Sequence, residues 1–226
     1  MRILAISDLH NDTENVLKFL DKIEEINPDV IVCAGDILDA TLPKGFSAEE
    51  IALIIIEEFS LLKKPFLAVP GNFDKDIINI LDSKKVSIHG KGRIINDYGF
   101  FGYGGAKTPF NTPLEPDEGE LKLGLYKAFI NIKDTKYKIQ VTHAPPINTS
   151  CDLLYSGLHV GSKVVREFIE EVKPNVAICG HIQEARSVDY IGNTIVVNPG
   201  RFPEGYVGLI EEKDGKLKAE ILNLNI

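Results

Sequence analysis

Five times along this chain a short apolar run stops at an aspartate, asparagine or histidine. Ile3–Ser7 is followed by Asp8-Leu9-His10, Val30–Ala34 by Gly35-Asp36 with Asp39 close behind, and Phe66–Val69 by Gly71-Asn72 with Asp74. Tyr137–Thr142 leads to His143, and Val176–Cys179 to Gly180-His181. Runs of this length and composition read as buried strands. Ligands of open α/β sheets bind in the crevice outside the carboxyl ends of the strands. The pattern therefore predicts that five separate segments converge on one site.

The intervening segments support parallel pairing. Thr13–Ile26 reads as a helix with Val16, Leu17, Leu20, Ile23 and Ile26 on one face, capped by Asn11 or Asp12 and ended at Asn27-Pro28. Ser47 and Glu50 form a capping box ahead of Ile51–Ser60, and Asp74 reads as the cap of a short helix reaching about Leu81. Strand and helix alternate through this half, as covered parallel strands require. Beyond it, Val86–His89, Arg93–Asp97 and Phe100–Tyr103 read as short antiparallel strands joined by turns. Helices are expected at Glu120–Ile130 and Ser162–Val172, and strands at Ala185–Ile191 and Thr194–Val197. Lys213-Asp214-Gly215-Lys216 signals a final hairpin. With no repeat or linker in 226 residues, the expectation is one α/β domain over 1–226. The Pro- and Gly-rich stretch Gly104–Gly119 is long for a loop inside such a domain and calls for a functional reason.

Composition narrows the partners. A net charge of −8 argues against nucleic acid, which is bound through clustered Lys and Arg, but leaves room for a small anionic substrate. Of three cysteines, Cys33 and Cys179 sit in apolar runs where a thiol is a small core residue, so no disulfide framework is expected. The chain passes from Met1-Arg2 directly into an apolar strand with no recognisable leader, and Ile51–Ile56 is far too short to span a bilayer. A cytoplasmic protein without membrane contact is expected, and assembly as a homo-oligomer is open.

The donors at the five strand ends are carboxylate, imidazole and amide, without thiolate. That set suits Mn²⁺, Fe or a borderline Zn²⁺ better than a structural zinc. Each motif alone is weak, since an aspartate after a strand is most often a cap or turn residue. Together, Asp8-Leu9-His10, Gly35-Asp36-Ile37-Leu38-Asp39, Gly71-Asn72-Phe73-Asp74, Thr142-His143-Ala144-Pro145-Pro146 and Gly180-His181-Ile182-Gln183 resemble the calcineurin-like metallophosphoesterases over nearly the whole chain. Asn198-Pro199-Gly200-Arg201 fits the same pattern. The resemblance implies a four-layer αββα sandwich, in which two mixed sheets pack face to face between helices. It also implies two divalent cations, Mn²⁺ first and Fe, Ni²⁺ or Zn²⁺ as alternatives. One would take Asp8, His10 and Asp36, the other Asp36, Asn72, His143 and His181, with Asp36 as the bridge and a hydroxide held between the ions as nucleophile.

Two positions depart from the family's fullest form. Phe73 stands where a histidine usually protonates the leaving oxygen, which deprives Asp39 of the partner it would orient. Gln183 stands where a second histidine would bind the first ion, and its amide oxygen is a weaker donor. His159, in a loop following the His143 segment, is a candidate replacement acid, although a structural histidine is the commoner case. Lys107 could meet substrate phosphate but reads more simply as a solvated lysine, and His89 as structural. The expected activity is hydrolysis of phosphate esters, small-molecule diesters above all. The alternative is a scaffold protein of the same fold with little turnover, and a nuclease is disfavoured by the charge.

Overall fold

The computed structural model describes residues 1–226. The chain begins with β1 (Arg2–Ile6), α1 (Thr13–Ile26), β2 (Val30–Cys33), α2 (Ala48–Ser60), β3 (Phe66–Ala68) and the short α3 (Ile78–Ser83). It continues with β4 (Lys91–Ile95), β5 (Tyr98–Tyr103), α4 (Glu118–Ile130), β6 (Tyr137–Thr142), α5 (Lys163–Val172) and β7 (Val176–Ile178). β8 (Ser187–Ile191), β9 (Thr194–Asn198), β10 (Tyr206–Lys213) and β11 (Lys216–Asn223) complete it. One sheet runs β11-β10-β1-β2-β3 and the other β4-β5-β6-β7-β9-β8. Both are mixed. β1, β2 and β3 are parallel to one another, as are β5, β6, β7 and β9; β10 pairs antiparallel with β1 and β11 in the first sheet, and β4 and β8 are antiparallel edge strands of the second.

Side-chain alternation builds the layers. On β1 and β2, Ile3, Ala5, Val30 and Val32 face the second sheet and meet Ile139, Val141, Val176 and Val197 in a shared core. Leu4, Ile6, Ile31 and Cys33 point the other way, under α1 and α2. Ala177, Cys179 and Val196 turn outward beneath α4 and α5. This is the expected arrangement of helices, sheet, sheet and helices, with a hydrophobic seam at each junction.

Local chemistry starts the helices where capping predicts. Asp12 accepts from Asn15 N at α1, and Ser47 and Glu50 close a reciprocal capping box at α2. Asp117 and Glu120 form another at α4, which therefore starts at Glu118, two residues before the expected Glu120. Several other boundaries also differ. Leu17 is 54% exposed, one position off the α1 stripe, and Phe19 fills the core beside Val16 and Ile23. Val86–His89 forms no strand, only bridges at Ser87 and His89. Asn96-Asp97, expected at a strand end, forms the β4–β5 turn, with Asn96 in the left-handed region. Ala185, expected to open a strand, instead ends the 3₁₀ turn Gln183–Ala185, and β8 begins at Ser187. No helix is long and apolar enough to cross a membrane.

Phe202, fully buried after β9, meets Phe19 and Phe59 edge-on at centroid distances of 5.7 and 6.1 Å. It locks α1 and α2 onto the first sheet. Phe202→Ala should cost about 3–5 kcal/mol in urea unfolding. Half-exposed Phe46→Ala should cost less than about 0.5 kcal/mol.

Candidate metal centre

The five strand-end loops do run together. Past the last paired residues of β1 and β2, Asp8 N donates to Gly35 O at 2.9 Å and His10 N to Asp36 O at 3.0 Å. Gly180 N donates to His143 O at 3.1 Å. Asp8, His10, Asp36 and His181 all have positive φ, from 50° to 69°. Non-glycine residues adopt this conformation at a cost, and it clusters where surrounding structure over-determines the backbone. Gly35, at φ 103°, must lack a side chain, because a Cβ there would lie 2.6 Å from Gly71 N. A Cβ on Gly71 would overlap the Asp36 backbone. These two glycines let the second and third loops touch.

One ligand atom from each of Asp8, His10 and Asp36 falls within 4.8 Å of the other two. His10 Nε2 is 3.7 Å from Asp8 Oδ1, and the Gln183 amide nitrogen meets the same Nε2 at 2.7 Å. Asp36 Oδ1 accepts from Phe73 N at 3.1 Å, while Oδ2 lies 3.3 Å from His143 Nε2. His143 and His181 sit 5.0 Å apart between ring centroids, and His181 N donates to Asp8 Oδ2 at 3.2 Å. Asn72 opens onto the same cleft of about 410 Å³ as His10, Asp36, His181 and Gln183.

Electrostatics link these groups. Burial opposes charge on His143, but Asp36 outweighs it and pushes the imidazole up to about 9. Burial likewise opposes charge on Asp36, and His143 and His10 hold the carboxyl below its ordinary value. His181 is pushed down to about 4 by burial and by the neighbouring His143 charge. His10 lies above its usual value because Asp8, Asp36 and Asp39 overcome its burial.

Hydrogen bonds outside the cluster decide which atoms face into it. His143 Nδ1 is 2.8 Å from Ala34 O, which can only accept, so Nδ1 carries a proton and a neutral ring keeps its lone pair on Nε2. The Asn72 amide nitrogen donates to Ala106 O, Thr112 Oγ1 and Leu114 O at 2.7, 2.6 and 3.1 Å. Its Oδ1 is thereby turned away from the loop and has no partner. Asp8 Oδ1 is also buried without a hydrogen-bond partner. Orphaned acceptors of this kind are costly unless something absent from the protein satisfies them. Two carboxylates, an amide oxygen and imidazoles fit a divalent cation.

Several positioning residues were not recognised in the sequence. Asp74 does not cap a helix. Fully buried, it accepts from Gly71 N, Ile37 N and Leu38 N at 2.7, 3.0 and 2.8 Å, stapling the Asp36 loop to the Asn72 loop. Burial and the Asp36 charge push its carboxyl up to about 6 against those donors. Glu115, 6% exposed, accepts from Thr112 N and from the hydroxyls of Thr108 and Thr112. Burial resists this charge, yet these donors and Lys107 hold it well below the carboxylate range. Thr112 thus gives its proton to Glu115 and presents a lone pair to Asn72. Asn198 donates to Ile182 O at 2.9 Å and fixes the turn between His181 and Gln183. Asp74 was visible as part of a motif, whereas nothing in the sequence marked Thr112 or Glu115.

Other candidates stand apart. Asp39 is half exposed, 3.9 Å from His10 Nδ1. His159 Nδ1 pairs with the buried Asp152 at 2.7 Å, and its ring is not among the groups lining the cleft, although neighbouring Val160 is. Lys107 lines the cleft but is paired with Glu115 at 3.0 Å. His89 stacks on Tyr103 at 4.1 Å and accepts from Gly104 N, and burial pushes it down to about 4.

Comparison with known proteins agrees with this arrangement. Protein MJ1162 of Methanocaldococcus jannaschii, itself uncharacterized, is 40% identical over 215 residues, which is 91% of this chain and 90% of that protein. TT1561 of Thermus thermophilus has a similar fold, with TM-score 0.72 and 23% identity over 99% of this chain and 98% of that one. A dimetal phosphatase from Danio rerio matches at TM-score 0.61 and 8% identity over 99% of both chains. The profile of the calcineurin-like phosphoesterases matches residues 1–185, and this chain belongs to that family.

Proposed function

We propose that this protein hydrolyses phosphate esters, small-molecule phosphodiesters above all, at a centre holding two divalent ions. The observation that carries the reading is the convergence of two buried acceptors without partners, Asp8 Oδ1 and Asn72 Oδ1, with the His143 imidazole around Asp36. Asp8, His10 and Asp36 would hold one ion, and Asp36, Asn72, His143 and His181 the other. With oxygen and imidazole donors and no thiolate, Mn²⁺ is the leading metal, with Fe, Ni²⁺ or Zn²⁺ as alternatives. Bound there, such ions supply Lewis-acid polarisation of phosphoryl oxygens and a water of lowered pKa.

The chain's own groups set the rest. Two carboxylates against two divalent charges leave the centre positive inside an acidic protein, which favours a phosphate. Neutral Asn72 preserves that excess. Gln183 uses the lone pair of His10 Nε2 as a hydrogen-bond acceptor, so it would join the first ion as an oxygen ligand only with its amide turned over. The first position therefore has three strong ligands and the second has four, which makes the second the tighter. Phe73 has no proton to give a departing oxygen, and Asp39 serves as neighbour to His10 instead.

Metal-loaded protein should cleave bis(4-nitrophenyl) phosphate, with rates falling steeply as the leaving group's pKa rises, because no side-chain acid offsets the developing charge. Asp36→Asn should reduce the rate by about 10²–10³-fold. No hydrolysis of nitrophenyl diesters with both ions bound would favour a binding protein over an enzyme.

Metal uptake should release protons. An imidazole at about 9 is protonated at neutral pH, so an ion must displace that proton from His143. Affinity for the second ion should rise about tenfold per pH unit and level off above 9. His181, at about 4, is already neutral and should contribute no proton. Calorimetric Mn²⁺ titration in buffers of different ionisation enthalpy measures the release.

Glu115→Ala removes the acceptor that orients Thr112 toward Asn72. It should weaken the second ion's binding by about 10–100-fold, read by equilibrium metal titration, with the first ion little changed.

A further inference from the structure

The cleft becomes apolar as it leaves the centre. Phe73, Phe110 and Thr112 line both the cleft and a second groove of about 520 Å³ that continues past Leu38, Leu42 and Ala48. The two spaces share these three walls. Phe73 stands at the junction, its ring edge-on to His10 at a centroid distance of 6.4 Å. Phe110, on the long loop, lines both spaces as well; it is 81% exposed, and its backbone N donates to Thr108 Oγ1 at 3.0 Å. An aromatic ring left this bare on an otherwise pinned loop contributes nothing to the core.

Charge along both spaces is one-sided. The ionisable groups of the outer groove are Asp39 and Asp76, without a lysine or arginine. In the cleft, the one cation outside the ligand cluster is Lys107, neutralised by Glu115 at 3.0 Å. An anionic arm would face two carboxylates with no free counter-charge, at a cost in Coulomb energy and desolvation. An uncharged flat arm would face two aromatic rings and aliphatic walls, which favour it by burial and edge or offset contacts.

On the phosphoesterase reading above, we propose that the ester bound here carries an uncharged aromatic arm lying against Phe73 and Phe110, with no second anionic group along it. The class is a single phosphate esterified to a planar ring system. Polyphosphates and polynucleotide chains fall outside it.

Calorimetry on the Mn²⁺-loaded full chain tests this with inorganic phosphate, methylphosphonate, phenylphosphonate and 4-carboxyphenylphosphonate. Phenylphosphonate should bind about tenfold more tightly than methylphosphonate, and the added carboxylate should erase that gain. Phe110→Ala should shrink the preference to about twofold or less by weakening phenylphosphonate more than methylphosphonate, and the fold should be kept since the side chain is exposed and outside the core. Asp76→Lys should raise affinity for the carboxyphenyl ligand several-fold, roughly the scale of one partly exposed ion pair. Equal binding of phenyl- and methylphosphonate overturns the proposal, as does a preference that survives Phe110→Ala or a carboxyphenyl ligand bound as tightly as the phenyl one. If neither phosphonate nor inorganic phosphate binds, the phosphoesterase reading has failed and this inference falls with it.

Discussion

Three backbone N–H groups and one buried carboxylate hold this centre in register. Asp74 spans the Asp36 loop and the Asn72 loop at the point where Gly35 and Gly71 leave no room for side chains. Charged hydrogen bonds to backbone in a dry site are among the stronger non-covalent links available. The arrangement carries its own tension. Burial resists the charge on Asp74, and the nearby Asp36 carboxylate adds to that resistance. The structure accepts this because the same carboxylate fixes the geometry on which the cluster depends. Without the staple, the donors on β2 and β3 would have no common frame.

Backbone conformation is the second cost. Asp8, His10, Asp36 and His181 leave their strands in the left-handed region, which turns each side chain inward just past the last ladder hydrogen bond. An extended continuation would send alternate side chains to opposite faces. The strain is small at each site and repeated at four, and the interlocking bonds between loops hold it in place. The two sheets share the task. Loops of the first supply Asp8, His10, Asp36 and Asn72, while loops of the second supply His143, His181 and Gln183.

How much of this was legible in the sequence follows from range. Apolar runs, capping boxes and the terminal hairpin are local signals, and they located both sheets' strands and all the longer helices. The clustered polar residues were legible because each follows a strand end within a few residues. The parts that escaped depend on contacts between distant residues. Asp74 looks like a cap until Ile37 and Leu38 are seen donating to it. Glu115 looks like any loop acid until Thr112 relays it to Asn72. Val86–His89 has strand composition but pairs only at single bridges, a tertiary outcome that composition does not encode. His159 lies in a loop beside the cleft, yet a hydrogen bond with Asp152 directs its ring elsewhere.

The loop between Gly104 and Asp117 joins two jobs that need different freedoms. Its root is committed, because Ala106, Thr112 and Leu114 consume the Asn72 amide and Glu115 ties the segment to itself. Its tip, around Pro109 and Phe110, bonds to nothing outside the loop. Substitution at the tip can change what the protein recognises while the machinery beneath stays intact. A descendant could thus exchange one aromatic for a cation or a hydroxyl and explore new chemistry in a single step. Innovation is easy at the crest of this loop and forbidden at its base.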